Sequence, residues 1–154
     1  MGSIIDLGCD IAEIHHQYSA VHSSLFGASS YRLVIAAITG RTARTYQGYL
    51  QTLDNLETRL STLASQVPNA EAGVAVAHHA RQLREVLSDY ISALDSAILS
   101  LRRICVQLLQ DEESYRNVPP AGHSAFNQDK IEYDRVLLQL EKLGRSLNQL
   151  FSRF

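Results

Sequence analysis

Residues 83–108 read LREVLSDYISALDSAILSLRRICVQL, and apolar side chains recur in this stretch in alternating steps of three and four. The repeat consists of Leu83, Leu87, Tyr90, Leu94, Ala97, Leu101, Ile104 and Leu108. Steps that average 3.5 residues keep one narrow seam on the same side of an α-helix along its whole length. The stretch therefore predicts a long helix that packs against other helices.

Three further seams of the same kind run through the rest of the chain. They consist of Ile4, Leu7, Ile11, Ile14, Tyr18, Val21 and Leu25; of Tyr46, Tyr49, Leu53, Leu56, Leu60, Leu63 and Val67; and of Tyr133, Val136, Leu140, Leu143, Leu147, Leu150 and Phe154. Ser3 can cap the first helix, Pro68 ends the second and Asn69 can cap the third. We expect helices at about 3–26, 31–66, 70–116 and 124–153, within one domain that spans 1–154. The fold class that follows is all-α: an up-and-down four-helix bundle with a long, coiled-coil-like central antiparallel hairpin.

The composition excludes several classes of protein. Apolar residues make up 45% of the 154 residues and charged residues 19%, which is typical of a globular chain and not of a disordered one. No apolar run approaches the roughly 20 residues that cross a bilayer, and a net charge of −2 argues against a nucleic-acid binder. The start of the chain does not resemble a secretory signal, so we expect an intracellular, cytoplasmic protein.

The predicted helix lengths do not match one another. The first and last helices, at about 35 and 45 Å, are shorter than a third helix of about 70 Å. We therefore expect the far end of the central hairpin, about residues 56–80, to project as an uncovered apolar tip that binds a partner. The tip residues are Leu56, Leu60, Leu63, Val67, Val74 and Val76, and Ile91, Ile98 and Leu109 form a surplus apolar face on the third helix. The alternative is that shifted outer helices or kinked central helices cover the tip.

Charge is unevenly placed along the chain. The segment 14–53 contains no Asp or Glu, but it contains Arg32, Arg41 and Arg44. These arginines are possible contacts for an anionic partner, since arginine binds carboxylate and phosphate in a fixed, bidentate geometry. The alternative is that Arg41 and Arg44 pair with acidic residues of the third helix.

Motifs for chemistry are weak. Glu13 and His16 form one Glu-x-x-His pair, whereas a di-iron bundle needs a second such pair and two further glutamates. His78 and His79 lie on a predicted helix without neighbours that would activate a phospho-acceptor. Cys9 and Cys105 show neither metal-ligand spacing nor a disulfide framework. We expect no enzyme, no metal and no cofactor.

The sequence thus favours a non-enzymatic interaction, scaffold or adaptor subunit. Its partner is another protein or a second copy of the chain, bound through apolar helix faces. The alternative function is a membrane-surface or lipid-binding helical bundle that uses the basic segment 14–53.

Overall fold

The computed structural model describes residues 3–26, 42–115 and 124–152, and this part of the chain is helical. Its α-helices are α1 (Ile4–Phe26), α2 (Thr42–Gln66), α3 (Ala80–Tyr115) and α4 (Ser124–Phe151), and short 3-10 helices cover Val67–Asn69 and Val74–His79. The described residues contain no β-strand, and only an isolated bridge joins Ser3 to Glu71. None of the described helices is long and apolar enough to cross a membrane. The predicted all-α class is confirmed.

The ends of α1 and α4 follow the sequence signals, whereas the start of α3 does not. The Ser3 hydroxyl oxygen accepts a hydrogen bond of 3.1 Å from the backbone N–H of Asp6, which confirms the predicted N-cap. The third helix was expected from residue 70, but it begins at Ala80. The chain is extended at Ala70 and Gly73 and then forms a 3-10 helix, so Asn69 caps no α-helix. The first part of the predicted second helix, 31–41, lies outside the described residues.

The predicted seams form the core. Every seam residue of α1 is buried, as is every seam residue of α3 except the half-buried Leu108. On α2 Tyr49 is half-buried, and on α4 Val136 and Leu143 are half-buried. Burial of an aliphatic or aromatic side chain contributes about 1.5–3 kcal/mol, so these four seams provide most of the stabilisation of the fold.

The expectation of an uncovered hairpin tip is wrong. The backbone N–H of Ile4 donates to the carbonyl oxygen of Glu71 at 3.1 Å, so α1 begins beside the end of the hairpin and covers it. The four tip residues on α2 and the following turn are exposed by 8% or less: Leu56, Leu60, Leu63 and Val67. Val74 and Val76 lie in the second 3-10 helix, and the structure does not describe their side chains.

The expected surplus apolar face of α3 is also wrong. Ile91 and Ile98 are buried in the core and Leu109 is half-buried, because α3 contacts each of the other three α-helices. Apolar side chains that look surplus to one seam are therefore needed by another neighbour.

Residue pairs give the register between helices. Glu13 on α1 forms an ion pair of 3.6 Å with Arg59 on α2, and Asp54 on α2 forms one of 2.7 Å with Arg102 on α3. Helix α3 packs most extensively against α4, whereas the backbones of α1 and α4 scarcely approach one another. This last pair of helices borders the candidate site.

A candidate binding groove between the first and last helices

A groove of about 740 Å³ lies between α1 and α4, with Tyr90 of α3 among the residues that line it. Its size is within the range of about 300–1,000 Å³ that is usual for binding clefts. Most of its lining side chains are apolar or small, and several on both helices are exposed. The groove is therefore open to solvent along its length and not an enclosed cavity.

Both walls of the groove are built on a second seam beside the core seam. On α1 the steps of three and four pass through Ile5, Gly8, Ala12, His15, Ser19 and His22. On α4 they pass through Leu137, Glu141, Gly144, Asn148 and Phe151. Such spacing on two adjacent helices is the pattern by which helices receive the side chains of a further helix.

Side chains bridge the two helices at each end of the groove. At one end the Phe151 ring lies over Gly8, where a Cβ atom would stand 3.2 Å from the ring carbon Cζ. At the other end the hydroxyl of Tyr18 is hydrogen-bonded to that of Tyr133. Ten residues of α1 separate Gly8 from Tyr18, which corresponds to about 15 Å, or nearly three turns of helix.

The second bridge is a chain of three polar groups. The Tyr133 hydroxyl lies 2.7 Å from Nδ1 of His22 and also contacts the Tyr18 hydroxyl. Burial lowers the pKa of His22, the Lys130 ammonium lowers it further, and Asp134 opposes the shift. A neutral His22 accepts from Tyr133, which in turn accepts from Tyr18, so that every hydroxyl proton has an acceptor.

Two polar groups near the middle of the groove lack hydrogen-bond partners among the described residues. Tyr90 is only 7% exposed, yet its hydroxyl makes no hydrogen bond there and keeps access to the groove. The half-buried ring of His15 lies 6.3 Å from the Tyr90 ring, centroid to centroid, and its nitrogens likewise make no hydrogen bond in the described part of the chain. Burial raises the pKa of Tyr90 to about 12 and lowers that of His15, which His16 lowers further. Both groups are therefore neutral at neutral pH.

The groove carries no net charge. Glu141 and Arg145 are the acidic and basic residues that line it, and they form an exposed ion pair of 3.8 Å with each other. The other polar lining residues are neutral, since burial favours the uncharged form of His15 and His22. An occupant thus meets an apolar surface with a few hydrogen-bonding groups.

Exposed apolar side chains flank the groove. Ile5 lines it and is 49% exposed, while Leu138 on α4 is 69% exposed. Leu138 is three residues before Glu141 and seven before Arg145, so it lies on the same helix face at the outer edge of the groove. Apolar side chains beside a cleft indicate a surface that another molecule covers.

The predicted arginine contacts fall on residues or side chains that the structure does not describe. Arg32 and Arg41 lie outside the described residues, and Arg44 lies in α2 with a side chain that is not described. Membrane binding through the segment 14–53 therefore stays a prediction, although His15 and His22 of that segment line the groove. Glu13 contacts Arg59 and Gln17 instead of forming a metal site with His16.

The structure also locates the predicted histidine and cysteine residues. His78 and His79 are exposed on the second 3-10 helix. Within the described ranges no three His, Cys, Asp or Glu residues are grouped in a way that could hold a metal ion. Cys9 is exposed beside the groove, whereas Cys105 is buried, with its thiol directed at the carbonyl oxygen of Tyr46 at 3.5 Å.

Sequence reasoning missed the groove because its walls are not strongly apolar. Gly8, Ala12 and Ser19 are too small to give a hydrophobic pattern, so their spacing in the sequence is not distinguishable from that of ordinary surface residues. One signal was present in the sequence: the three acidic residues of α1, Asp6, Asp10 and Glu13, all lie off the face that carries the second seam.

A scan against protein-family models and searches of curated proteins and of solved structures give no match for this chain. The function of the groove is therefore argued from its geometry.

Proposed function

We propose that this protein is a non-enzymatic interaction subunit that binds a partner protein in the groove between α1 and α4. The observation that carries the proposal is the pair of second seams, one on each wall, with exposed Ile5 and Leu138 beside them. Packing against a partner helix would remove these side chains from water, and each square ångström of apolar surface buried contributes about 25 cal/mol.

We also propose that the four helices form an up-and-down bundle in which α2 and α3 are the central hairpin. Three pairings support opposite directions for neighbouring helices. Ile4 is hydrogen-bonded to Glu71 and Glu13 is ion-paired with Arg59, so residue numbers rise along α1 as they fall along its neighbour. In the same way, Asp54 of α2 is ion-paired with Arg102 of α3, and the carbonyl oxygen of Tyr46 accepts from the thiol of Cys105. Gly8 meets Phe151 while Tyr18 meets Tyr133. In this arrangement α1 and α4 are neighbours that remain apart, which creates the groove.

The chemistry of the groove supports binding over catalysis. Burial raises the pKa of Tyr18 and Tyr90 to about 12 and that of Tyr133 higher still, so these hydroxyls stay protonated at neutral pH. Burial likewise raises the pKa of the Cys105 thiol to about 11. A lowered pKa is one common mark of an activated nucleophile, and the pKa values of these groups are shifted the other way.

Photocrosslinking tests the proposal. A benzophenone amino acid is placed at Ala12, which lines the groove, or at Ala20, which is equally exposed on α1 but does not line it. A partner that crosslinks from position 12 is purified, and its affinity is measured for the original chain, for Ala12→Trp and for Ala20→Trp.

The proposal predicts that the Trp at position 12 fills the groove and weakens binding at least tenfold, while the Trp at position 20 leaves the affinity unchanged. Equal crosslinking from positions 12 and 20 contradicts the proposal, as does a partner that binds Ala12→Trp with the same affinity as the original chain.

A further inference from the structure

We infer that the groove receives an amphipathic α-helix of about three turns whose central groove-facing side chain is a neutral amide, Asn or Gln, bonded to Tyr90 and His15. The inference rests on the proposed function and specifies the chemistry of the partner. It is drawn from the length of the groove, from the charge of its walls and from the unpartnered groups near its middle.

Length and spacing select a helix as the occupant. The two side-chain bridges, Phe151 on Gly8 and Tyr133 on Tyr18, stand about 15 Å apart along α1. Three turns of helix span about 16 Å. Both walls repeat in steps of three and four, which matches the spacing at which a helix presents its side chains. The small residues Ala12 and Gly144 on opposite walls permit a close approach.

Charge complementarity selects the face of that helix. The only charged lining residues, Glu141 and Arg145, are already paired with each other in the described structure. A charged side chain that entered the groove would lose hydration without gaining a counter-charge, which is unfavourable. The helix face in contact with the groove must therefore be uncharged, and its charged residues must point to solvent.

Hydrogen-bond complementarity selects an amide at the centre. The Tyr90 side chain is only 7% exposed, and its hydroxyl makes no hydrogen bond with a described residue. The half-buried His15 beside it likewise makes none. An apolar partner would seal both groups from water and leave them without hydrogen bonds, which is unfavourable. A primary amide supplies both missing partners: its carbonyl accepts from the Tyr90 O–H, and its N–H donates to the unprotonated ring nitrogen of His15.

A selection experiment tests the inference with the whole chain. A phage library displays 18-residue helices, since isolated helices shorter than about 12–15 residues are marginal. Solvent-facing positions are fixed as helix formers, and groove-facing positions at steps of three and four are randomised. Selection is run in parallel on the original chain, Ala12→Trp, Ala20→Trp and Tyr90→Phe, after circular dichroism and thermal melts have shown that each variant is folded.

We expect selection on the original chain and on Ala20→Trp to yield library helices with an apolar face and a central Asn or Gln. Selection on Ala12→Trp should yield none. A selected peptide with the amide should bind about tenfold more tightly than the same peptide with Leu at that position, because the amide forms two hydrogen bonds that Leu cannot form. On Tyr90→Phe this preference should fall to threefold or less, because one of the two bonds is lost while the ring remains.

The two levels of the proposal fail in different ways. Helices that compete for the groove but show no central amide preference, or the same preference on Tyr90→Phe, overturn the inference and leave the proposed function intact. An absence of groove-directed helices on the original chain also overturns the inference alone, whereas a crosslinked partner whose affinity is unaffected by Ala12→Trp overturns both.

Discussion

The bond network at the end of the groove makes a strong prediction about Tyr133. Tyr133→Phe removes one oxygen atom from a fully buried ring and with it the hydrogen bonds to Tyr18 and His22. Tyr18 is buried and has no other hydrogen-bond partner among the described residues, so its hydroxyl is left unsatisfied at a cost of about 1–3 kcal/mol. The bond to the half-buried His22 contributes about 0.5–1.5 kcal/mol more. We expect a loss of about 2–4 kcal/mol in the free energy of unfolding.

Urea denaturation followed by far-UV circular dichroism measures this loss. The matched control is Tyr49→Phe, the same chemical change at a half-buried tyrosine outside the network, which should shift stability by less than about 0.5 kcal/mol. The double variant Tyr18→Phe, Tyr133→Phe should be more stable than Tyr133→Phe alone, because the orphaned hydroxyl is gone. A Tyr133→Phe variant as stable as the original chain, or a double variant less stable than both single ones, would refute the proposed network.

Three further predictions concern stability. Gly48→Ala should raise the free energy of unfolding in urea by about 1 kcal/mol, because Gly48 lies within α2 and an added Cβ would have no neighbouring atom within 4 Å. A destabilised variant would contradict this open environment. Leu60→Ala should lower the free energy of unfolding by about 2–5 kcal/mol, whereas Ser61→Ala should change it little, because Leu60 is buried in the core and Ser61 is exposed. A Leu60→Ala chain as stable as the original would indicate that Leu60 is exposed. Acidification should destabilise the chain through His22, because the pKa of His22 is lower in the folded chain than in the unfolded chain. The contribution of neutral His22 to stability is complete above the unfolded pKa of about 6.5 and is lost as the pH falls through the folded pKa. His22→Gln should flatten this pH dependence between pH 7 and 5; a profile identical to that of the original chain would exclude His22 as a source.

Local signals in the sequence predicted most of the helices and the core. Ser3 caps α1, and Leu53, Leu94 and Leu140 are buried on the seams that their spacing indicated. These features succeed because the backbone period and the local capping bond are properties of a few adjacent residues. The ten residues 70–79 were expected to be α-helical from the Asn69 cap, although the hydrophobic repeat begins only at Leu83; the backbone is instead extended at Ala70 and Gly73.

Features that depend on how the helices are placed against one another could not be predicted from the sequence. Leu60 looked uncovered because the third helix was predicted to begin at residue 70 and to be much longer than the first, whereas it begins at Ala80 and Ile4 bonds to Glu71, which places α1 over the tip. The groove escaped because it depends on the separation of α1 and α4, and its wall residues, such as Ala12 and Gly144, are too small to give a hydrophobic pattern. Sequence spacing specifies the face of a helix but not the distance to its neighbour.

The native thiol beside the groove provides the most direct test of the central claim that a partner helix occupies it. Cys9 is exposed and lines the groove, and buried Cys105, with its pKa raised to about 11, is the internal control that should stay unlabelled. The rate at which N-ethylmaleimide modifies Cys9 is measured by mass spectrometry, with and without a saturating concentration of a helix that binds the chain. The account predicts that the bound helix slows modification of Cys9 at least tenfold in the original chain. Unchanged labelling of Cys9 at saturation would place the helix elsewhere and contradict the account.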